Sequence, residues 1–507
     1  MQAKNEAKRR LLANVFSNVT EIVLSSVIGL WLTRYFISHL GVAVYGMIPL
    51  VTQIASYFDL FSRSISDTVG RFVAIYFNQN QIERCNIYFS TALIFIVTAC
   101  LLVCAPLIVV ALLLPSIFNV PAGHETSASW LLLCVLLSSL LIAVTSPFLV
   151  STLVKHRFDL MNLVKILSKL LRVAILVLCF RYLGPSLEYV GWSYCVMGLF
   201  LLVGSIWLRS LLTPQLRLAW KSYRWDALHD MARMGGWLTI NQIGALLYLS
   251  TQLIIINILL GSEEAGRYGP FVLLVSLLSM LGTAVANVFT PIVYEHIAQK
   301  KMDVLVHHSK RSIKYMGLII ALPVGLLCGL SSPFLKWWLG PEFADLSPLA
   351  WLLLGPWIVN ITVRPLFSVY RGLNKVKVPA IVILAGGAMN VIVSVLLIKY
   401  ANLGLYGAAL APLFCLTSKN LFFTPIYTAV LLGRAKFIFF KDLILALLMA
   451  TLVSLAGWSL SQMYDLSSFL RLCAGVLFLS IPYLLISYRV AMNKDDRTFL
   501  LSLVCRR

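Results

Sequence analysis

Fourteen apolar segments, joined by short polar connections, make up most of this sequence and leave few folds open to it. Nearly all are long enough for a helix to cross the roughly 30 Å hydrocarbon layer of a membrane. Lipid offers no partners for backbone N–H and C=O groups, so these segments should be helical. The chain is 60% hydrophobic and only 12% charged, which is typical of an all-α polytopic membrane protein. The segments are 11–36, 44–77, 85–115, 128–150, 159–183, 187–212, 236–260, 268–298, 311–331, 347–370, 378–400, 405–432, 440–461 and 468–490.

The distribution of Lys and Arg predicts that both termini are cytoplasmic. With the N-terminus inside, the cytoplasmic connections and ends hold 30 Lys and Arg residues, and the outside connections hold 4. Positive residues concentrate on the cytoplasmic side of membrane proteins, so this split fits an even number of helices. Most of the net charge of +21 then reflects topology, and nucleic acid is not an expected partner. The first apolar run lacks a signal-peptide cleavage site and is predicted to be the first transmembrane helix.

The connections exclude several classes of enzyme. The longest cytoplasmic stretch, about 210–235, is too short for a catalytic or nucleotide-binding domain, and no GxxxxGK[ST] or HExxH motif is present. The outside connections are too short for the reactive site of a polysaccharide polymerase or ligase. The ten cysteines form no CxxC pair and lie mostly in apolar segments. We therefore expect a transporter rather than an enzyme, with no metal site and no cofactor.

The two halves of the chain share an internal repeat. An offset of 223 residues aligns HLGVAVYG (39–46) with SEEAGRYG (262–269), and later an offset of 218 aligns CFRYLG (179–184) with LIKYAN (397–402). Each copy holds six helices, an even number, so the copies should have parallel topology. The predicted organisation is an N-terminal six-helix lobe, a cytoplasmic linker, a C-terminal six-helix lobe, and two extra helices with a cytoplasmic tail. Their bounds are 1–212, 213–235, 236–433 and 434–507.

Three cations lie on one face of the fifth predicted helix: Lys165, Lys169 and Arg172. Their i, i+4, i+7 spacing places them within roughly 60° of one another around the helix. A charge inside a membrane costs about 2.5–3.5 kcal/mol even on lenient scales, and the run holds no acid after Asp159. The stripe therefore predicts an anionic partner, and a diphosphate suits the donors of Arg and Lys. The structural alternative is snorkelling to the interface, which suits Lys165 best.

The repeat supplies an internal control for this stripe. The residues aligned with Lys165, Lys169 and Arg172 are Ile383, Gly387 and Asn390, which are all neutral. The matching helix thus does without the charges, which favours a functional role for them.

Two more cations and one acid are candidates for functional roles within apolar segments. Arg364 precedes Pro365 in the tenth segment, where a kink beside a charge could form a gate or binding point. Its alternative is pairing with carbonyls near the inner interface. Lys419, within the twelfth segment, is predicted to face a lumen. Glu21, inside the first helix, is expected to pair with the fifth helix, and binding of a coupling proton is the other possibility.

On these features the chain resembles the MOP exporter superfamily, and within it the polysaccharide-transport, Wzx-type branch. The resemblance covers the whole chain and rests on the 6+6+2 layout, the basic start AKRRLLANVFSNV, the turn HLGVAVYGMIPLV, the long second helix ending in SISDTVGRF, and the cationic fifth helix. It implies a V-shaped, MATE-like pair of lobes around a cationic lumen. It also implies alternating access that moves a polyprenyl-diphosphate-linked oligosaccharide from the inner to the outer leaflet.

The resemblance also implies where the protein resides and which process it serves. The protein should reside in the cell inner membrane, contact membrane lipids, and serve surface-polysaccharide synthesis such as the O-antigen of lipopolysaccharide. A polysaccharide polymerase and a chain-length regulator are candidate partners. The competing function is an ion-coupled multidrug exporter of the same superfamily. Such an exporter should line its lumen with acids, whereas this chain offers five membrane cations and one central acid.

Overall fold

The structure, a computed structural model, describes the backbone of residues 2–219 and 222–491. Within these ranges, the side chains of 2–12, 15, 59–68, 78, 232–235, 237–238 and 490–491 lie outside the description. The described residues form helices joined by turns and irregular connections, without a strand. It divides into two compact units, Met1–Pro270 and Phe271–Arg507. Most of the predicted cytoplasmic tail, 492–507, falls outside the described residues, and the predicted lobe boundaries remain a prediction.

Among its described residues, the first unit contains eight longer helices and two one-turn helices. Helix α11 begins here and continues into the second unit. The helices are α1 (Gln2–Leu40), α2 (Val42–Tyr45), α3 (Met47–Asn78), α4 (Ile82–Leu112), α5 (Leu114–Ile117), α6 (Glu125–Val154), α7 (Phe158–Leu183), α8 (Leu187–Leu212), α9 (Trp225–Leu249), α10 (Thr251–Leu260) and α11 (Ser262–Ala298).

The second unit contains shorter helices, because the predicted segments 347–370 and 405–432 are interrupted and the end of 468–490 is π-helical. A 3-10 turn covers Pro341–Leu346, and π-helical turns cover Leu413–Thr417, Lys419–Phe423 and Ser487–Ala491. The α-helices are α12 (Met302–Gly329), α13 (Ser331–Leu339), α14 (Ser347–Leu354), α15 (Trp357–Thr362), α16 (Arg364–Gly372), α17 (Lys377–Lys399), α18 (Gly404–Pro412), α19 (Thr424–Leu431), α20 (Phe440–Met463) and α21 (Phe469–Ile486).

Eleven helical spans in the described part of the chain are long and apolar enough to cross a membrane. They coincide with eleven of the fourteen segments predicted from the sequence. The other three are also helical but differ in character: α3 includes side chains outside the description, α7 carries Lys165, Lys169 and Arg172, and the segment 404–431 is broken by two π-helical turns. The chain is a multi-pass membrane protein, and the count of fourteen remains a prediction.

Small residues bring the helices of the first unit close together and so fix the position of α8. A Cβ atom on Gly198 would lie 2.8 Å from Ser138 Oγ, and one on Gly191 would lie 3.0 Å from Cys134 Cβ. Small residues at such crossings allow membrane helices to pack closely, where van der Waals contact provides much of the stability. Helix α8 therefore packs closely against α6. Its Tyr194 side chain contacts α7.

Close approaches of the same kind organise the second unit. Gly317, Gly325 and Gly329 of α12 lie against α20, and a Cβ on Gly317 would lie 2.4 Å from the Cβ of Ala446. Helix α20, the first of the two predicted extra helices, is therefore packed directly on α12. The tenth predicted segment is broken twice, after Leu354 and again at Val363, so Arg364 begins a new helix.

Candidate functional site

Helices α1 and α7 run parallel and are joined along one edge by polar side chains. The amide of Asn14 donates to the carbonyl oxygen of His156 (2.9 Å), and Asn162 donates to Asn18 Oδ1 (2.6 Å). Further along, Ser25 of α1 contacts Lys169 of α7. Residues 14, 18, 21 and 25 recur at spacings of four, three and four, which places them on one face of α1. This regular polar spacing is the signal in the sequence from which the interface could have been found.

Lys169 occupies the centre of this interface and is paired with the acid of α1. Its Nζ lies 2.5 Å from Glu21 Oε1 and 2.5 Å from Ser25 Oγ. Ser25 also lies 3.0 Å from Glu21 Oε1 and donates to the Glu21 carbonyl oxygen at 2.6 Å. The Glu21 side chain is 13% exposed and that of Lys169 is 31% exposed. Glu21 thus pairs with the fifth predicted helix, while a role in ion coupling remains a prediction.

The other two cations of the stripe lack such a partner. Lys165 lies one turn before Lys169, within electrostatic range of Glu21, yet it makes no hydrogen bond or ion pair with a described residue. The guanidinium of Arg172 stacks on the ring of Tyr194 in α8, with its Cζ 3.6 Å from the ring centroid. Its Nε is buried and has no hydrogen-bond partner in the described part of the chain. Stacking covers the face of the guanidinium and leaves its N–H edge to bind an acceptor.

These contacts define a cationic cluster, Lys165, Lys169 and Arg172 with Glu21, whose net charge is +2. A buried N–H group without an acceptor is costly, and so is a charge without a counter-ion. The cluster therefore offers several unused N–H donors to an anion. Tyr194, Ser25 and the asparagines were not singled out from the sequence. Nothing in the sequence marks Tyr194, since its contact with Arg172 depends on how α8 packs.

In the second unit, Arg364 is already satisfied by neighbouring groups. Its guanidinium donates to the Ser279 carbonyl oxygen (2.7 Å), Thr283 Oγ1 (2.7 Å) and Ser279 Oγ (2.8 Å) of α11. It also lies 5.8 Å from the centroid of Trp357. These bonds tie the start of α16 to α11, and they give Arg364 a structural role in addition to its predicted binding role.

Lys419 has a different environment. Its Nζ lies 5.3 Å from the ring centroid of Phe367, and it makes no hydrogen bond with any residue that the structure describes. Beside it, buried Asn420 donates to Asn360 Oδ1 (2.9 Å), and Asn360 donates to Thr417 (3.3 Å). Lys419 begins one of the π-helical turns, which often occur at functional sites. It is therefore the candidate cation of this unit with unused donors.

No group of three or more His, Cys, Asp or Glu side chains suited to a metal ion occurs among the described residues. The predicted absence of a cofactor is not tested by this geometry.

Comparison with known proteins agrees with the helical layout. Residues 11–297 match the family described as polysaccharide biosynthesis protein. Over 491 residues, covering 96% of this chain and 97% of the relative, the chain is 29% identical to the uncharacterized membrane protein EpsK of Bacillus subtilis (strain 168).

Two solved structures of low sequence identity share the fold. An inward-facing multidrug resistance MATE family transporter of the MOP superfamily superposes with a TM-score of 0.63 at 13% identity, covering 90% of this chain and 99% of that one. Lipid II flippase MurJ, in an inward closed conformation, gives 0.63 at 14% identity, covering 95% and 98%. The family match covers more than half of the sequence and shows that the chain belongs to the polysaccharide biosynthesis protein family.

Proposed function

We propose that the protein is a flippase that moves a polyprenyl-diphosphate-linked oligosaccharide from the inner to the outer leaflet by alternating access. The observation that carries the proposal is the cationic cluster, in which three cations within a membrane protein are accompanied by one carboxylate, which leaves a net charge of +2. Membership of a polysaccharide biosynthesis family supports a carbohydrate substrate. A sugar that must cross a membrane on a lipid carrier presents its diphosphate as the anionic group nearest the hydrocarbon.

Each member of the cluster would contact the diphosphate differently. Arg172, with its face covered by Tyr194, presents its N–H edge and can bind two phosphate oxygens at once. Lys165 and Lys169 supply point charges at adjacent turns of the same helix. Charge-assisted hydrogen bonds of this kind contribute about 1.5–3 kcal/mol each. Lys419 is a further candidate contact in the second unit, because its donors are unused among the described residues.

The proposal includes an orientation, with both termini in the cytoplasm of a cell whose inner membrane holds the protein. A cysteine placed at Ala122, exposed in the connection before α6, should then react with an impermeant thiol reagent from outside. Reaction only after the membrane is opened would contradict this orientation. The same setting makes a polysaccharide polymerase and a chain-length regulator candidate partners, and O-antigen of lipopolysaccharide one candidate product.

The alternative is an ion-coupled multidrug exporter, and the likeness to a MATE transporter supports that fold for either activity. Cationic drugs require acidic or aromatic surroundings, whereas the cluster carries a net positive charge. We therefore expect expression of the protein to leave drug resistance unchanged. A reproducible rise in resistance to cationic drugs, abolished by Glu21→Gln, would favour the exporter.

The proposal is tested by surface-polysaccharide output in a strain that lacks the native gene. The double variant Lys169→Ala, Arg172→Ala should lose output while reaching the membrane at normal abundance. Arg181→Ala is the matched control, because Arg181 lies on the same helix but at its exposed end. Full output from the double variant at normal abundance would contradict the proposal.

A further inference from the structure

Lys169 already has an anionic partner inside the protein, and an incoming substrate would have to share that lysine with it. Glu21 Oε1 and Ser25 Oγ, each 2.5 Å from Nζ, take two of the three ammonium N–H donors. The Glu21 side chain is only 13% exposed, so water weakens this contact little. A fully exposed ion pair would be a minor competitor for the substrate, and this partly shielded pair is a stronger one.

We propose that Glu21 is a specificity-determining residue, which sets the charge of the cluster so that it accepts a diphosphate diester in preference to a diphosphate monoester. This inference rests on the proposed function, since it assumes that the cluster holds the diphosphate. A sugar attached through a diphosphate to a prenyl chain is a diester, whereas the free prenyl carrier diphosphate is a monoester.

Charge balance separates the two ligands. A diester carries one ionised oxygen on each phosphorus, and those two charges match the cluster's net charge of +2. A monoester carries a further ionisable oxygen at its terminal phosphorus. That extra charge would meet the Glu21 carboxylate, and like charges in a shielded site repel each other strongly. The carboxylate therefore penalises the carrier that has no sugar attached.

The unused N–H donors of the cluster agree with a preference for the diester over the monoester. Lys165 and Arg172 make no hydrogen bond with described residues, and Lys169 has one N–H left beyond Glu21 and Ser25. A diester can bind Lys165 and Arg172 and share Lys169 without displacing Glu21. A monoester would need the whole of Lys169 to neutralise its third charge, and it could obtain that only by breaking the pair with Glu21.

The test uses the full-length protein in lipid nanodiscs and two probes, farnesyl diphosphate and the diphosphate diester of farnesol with N-acetylglucosamine. The wild type should bind the diester more tightly. Glu21→Gln, which is nearly isosteric, should tighten binding of the monoester roughly tenfold and that of the diester by less, which narrows the preference. Glu188→Gln removes an acid in the first turn of α8 that makes no contact with the cluster among the described residues, and it should leave both affinities unchanged.

The inference is overturned if Glu21→Gln weakens both probes, because Glu21 would then only orient Lys169, or if it tightens both equally. Should Glu21→Gln fail to fold, Glu21→Met removes the charge with a side chain of similar volume and is judged by the same criteria. Failure of the proposed function looks different: the wild type would bind neither probe, or Lys169→Ala, Arg172→Ala would bind both as the wild type does.

Discussion

Helices α7 and α17 occupy matching places in the predicted repeat, yet one carries Lys165, Lys169 and Arg172 where the other carries Ile383, Gly387 and Asn390. Both are regular helices of similar length, over Phe158–Leu183 and Lys377–Lys399. On α17, Gly387 and Asn390 are buried. On α7, the three cations remain partly exposed, and two of them make no hydrogen bond with described residues.

The difference indicates that the charges of α7 serve something other than helix formation. A neutral face gives a regular helix in α17, so a helix at this place in the repeat does not require cations. Keeping them costs about 2.5–3.5 kcal/mol each within a membrane. One carboxylate, Glu21, offsets only part of that cost. Under the proposed function, a bound diphosphate offsets the rest.

The largest loss of substrate affinity is expected when α7 is given a neutral face like that of α17. Lys165→Ile, Lys169→Ala, Arg172→Asn should lower substrate affinity by about 100-fold or more, because several charge-assisted contacts are lost together. Binding of the diester probe measures the loss. The reciprocal change, Ile383→Lys in α17, should leave binding as it is in the wild type. The two changes can also be combined. If Ile383→Lys restored binding to the variant with a neutral α7, the location of the cations on α7 would be unimportant.

The second comparison is between Lys419 and Arg364 in the same unit. Lys419→Ala should lower transport by roughly tenfold with little change in Tm, because its donors are not used within the described structure. Arg364→Ala should instead lower stability by about 1–3 kcal/mol, because it removes the bonds to Ser279 and Thr283. Transport assays and thermal unfolding of both variants separate the effects. The same Tm loss in both would mean that Lys419 is structural too.

The smallest effect is expected from the asparagines that join α1 to α7. Asn162→Ala removes its bond to Asn18, and side-chain hydrogen bonds between membrane helices contribute about 0.6 kcal/mol on average. We therefore expect a slight fall in Tm and an unchanged preference between the diester and monoester probes. A large change in that preference would place Asn162 in the binding site rather than in the support of α7.

Much of the helical layout follows from the sequence, because hydrocarbon imposes length and polarity on every crossing segment. The stripe on α7 was equally visible, since helical periodicity alone puts Lys165, Lys169 and Arg172 on one face. The stacking of Tyr194 on Arg172 and the partners of Arg364 could not be predicted, as both depend on how distant helices pack. The break at Val363 was signalled by Pro365, but the π-helical turns around Lys419 had no comparable signal.

Transfer of a fluorescent diphosphate diester across the membrane of proteoliposomes tests the central claim most directly. The wild type and Arg181→Ala should both move the probe from one leaflet to the other. Lys169→Ala, Arg172→Ala, reconstituted in equal amount and correctly folded, should reduce transfer to the level of protein-free liposomes. Transfer by that double variant at the wild-type rate would contradict the claim that the cationic cluster of α7 holds the substrate.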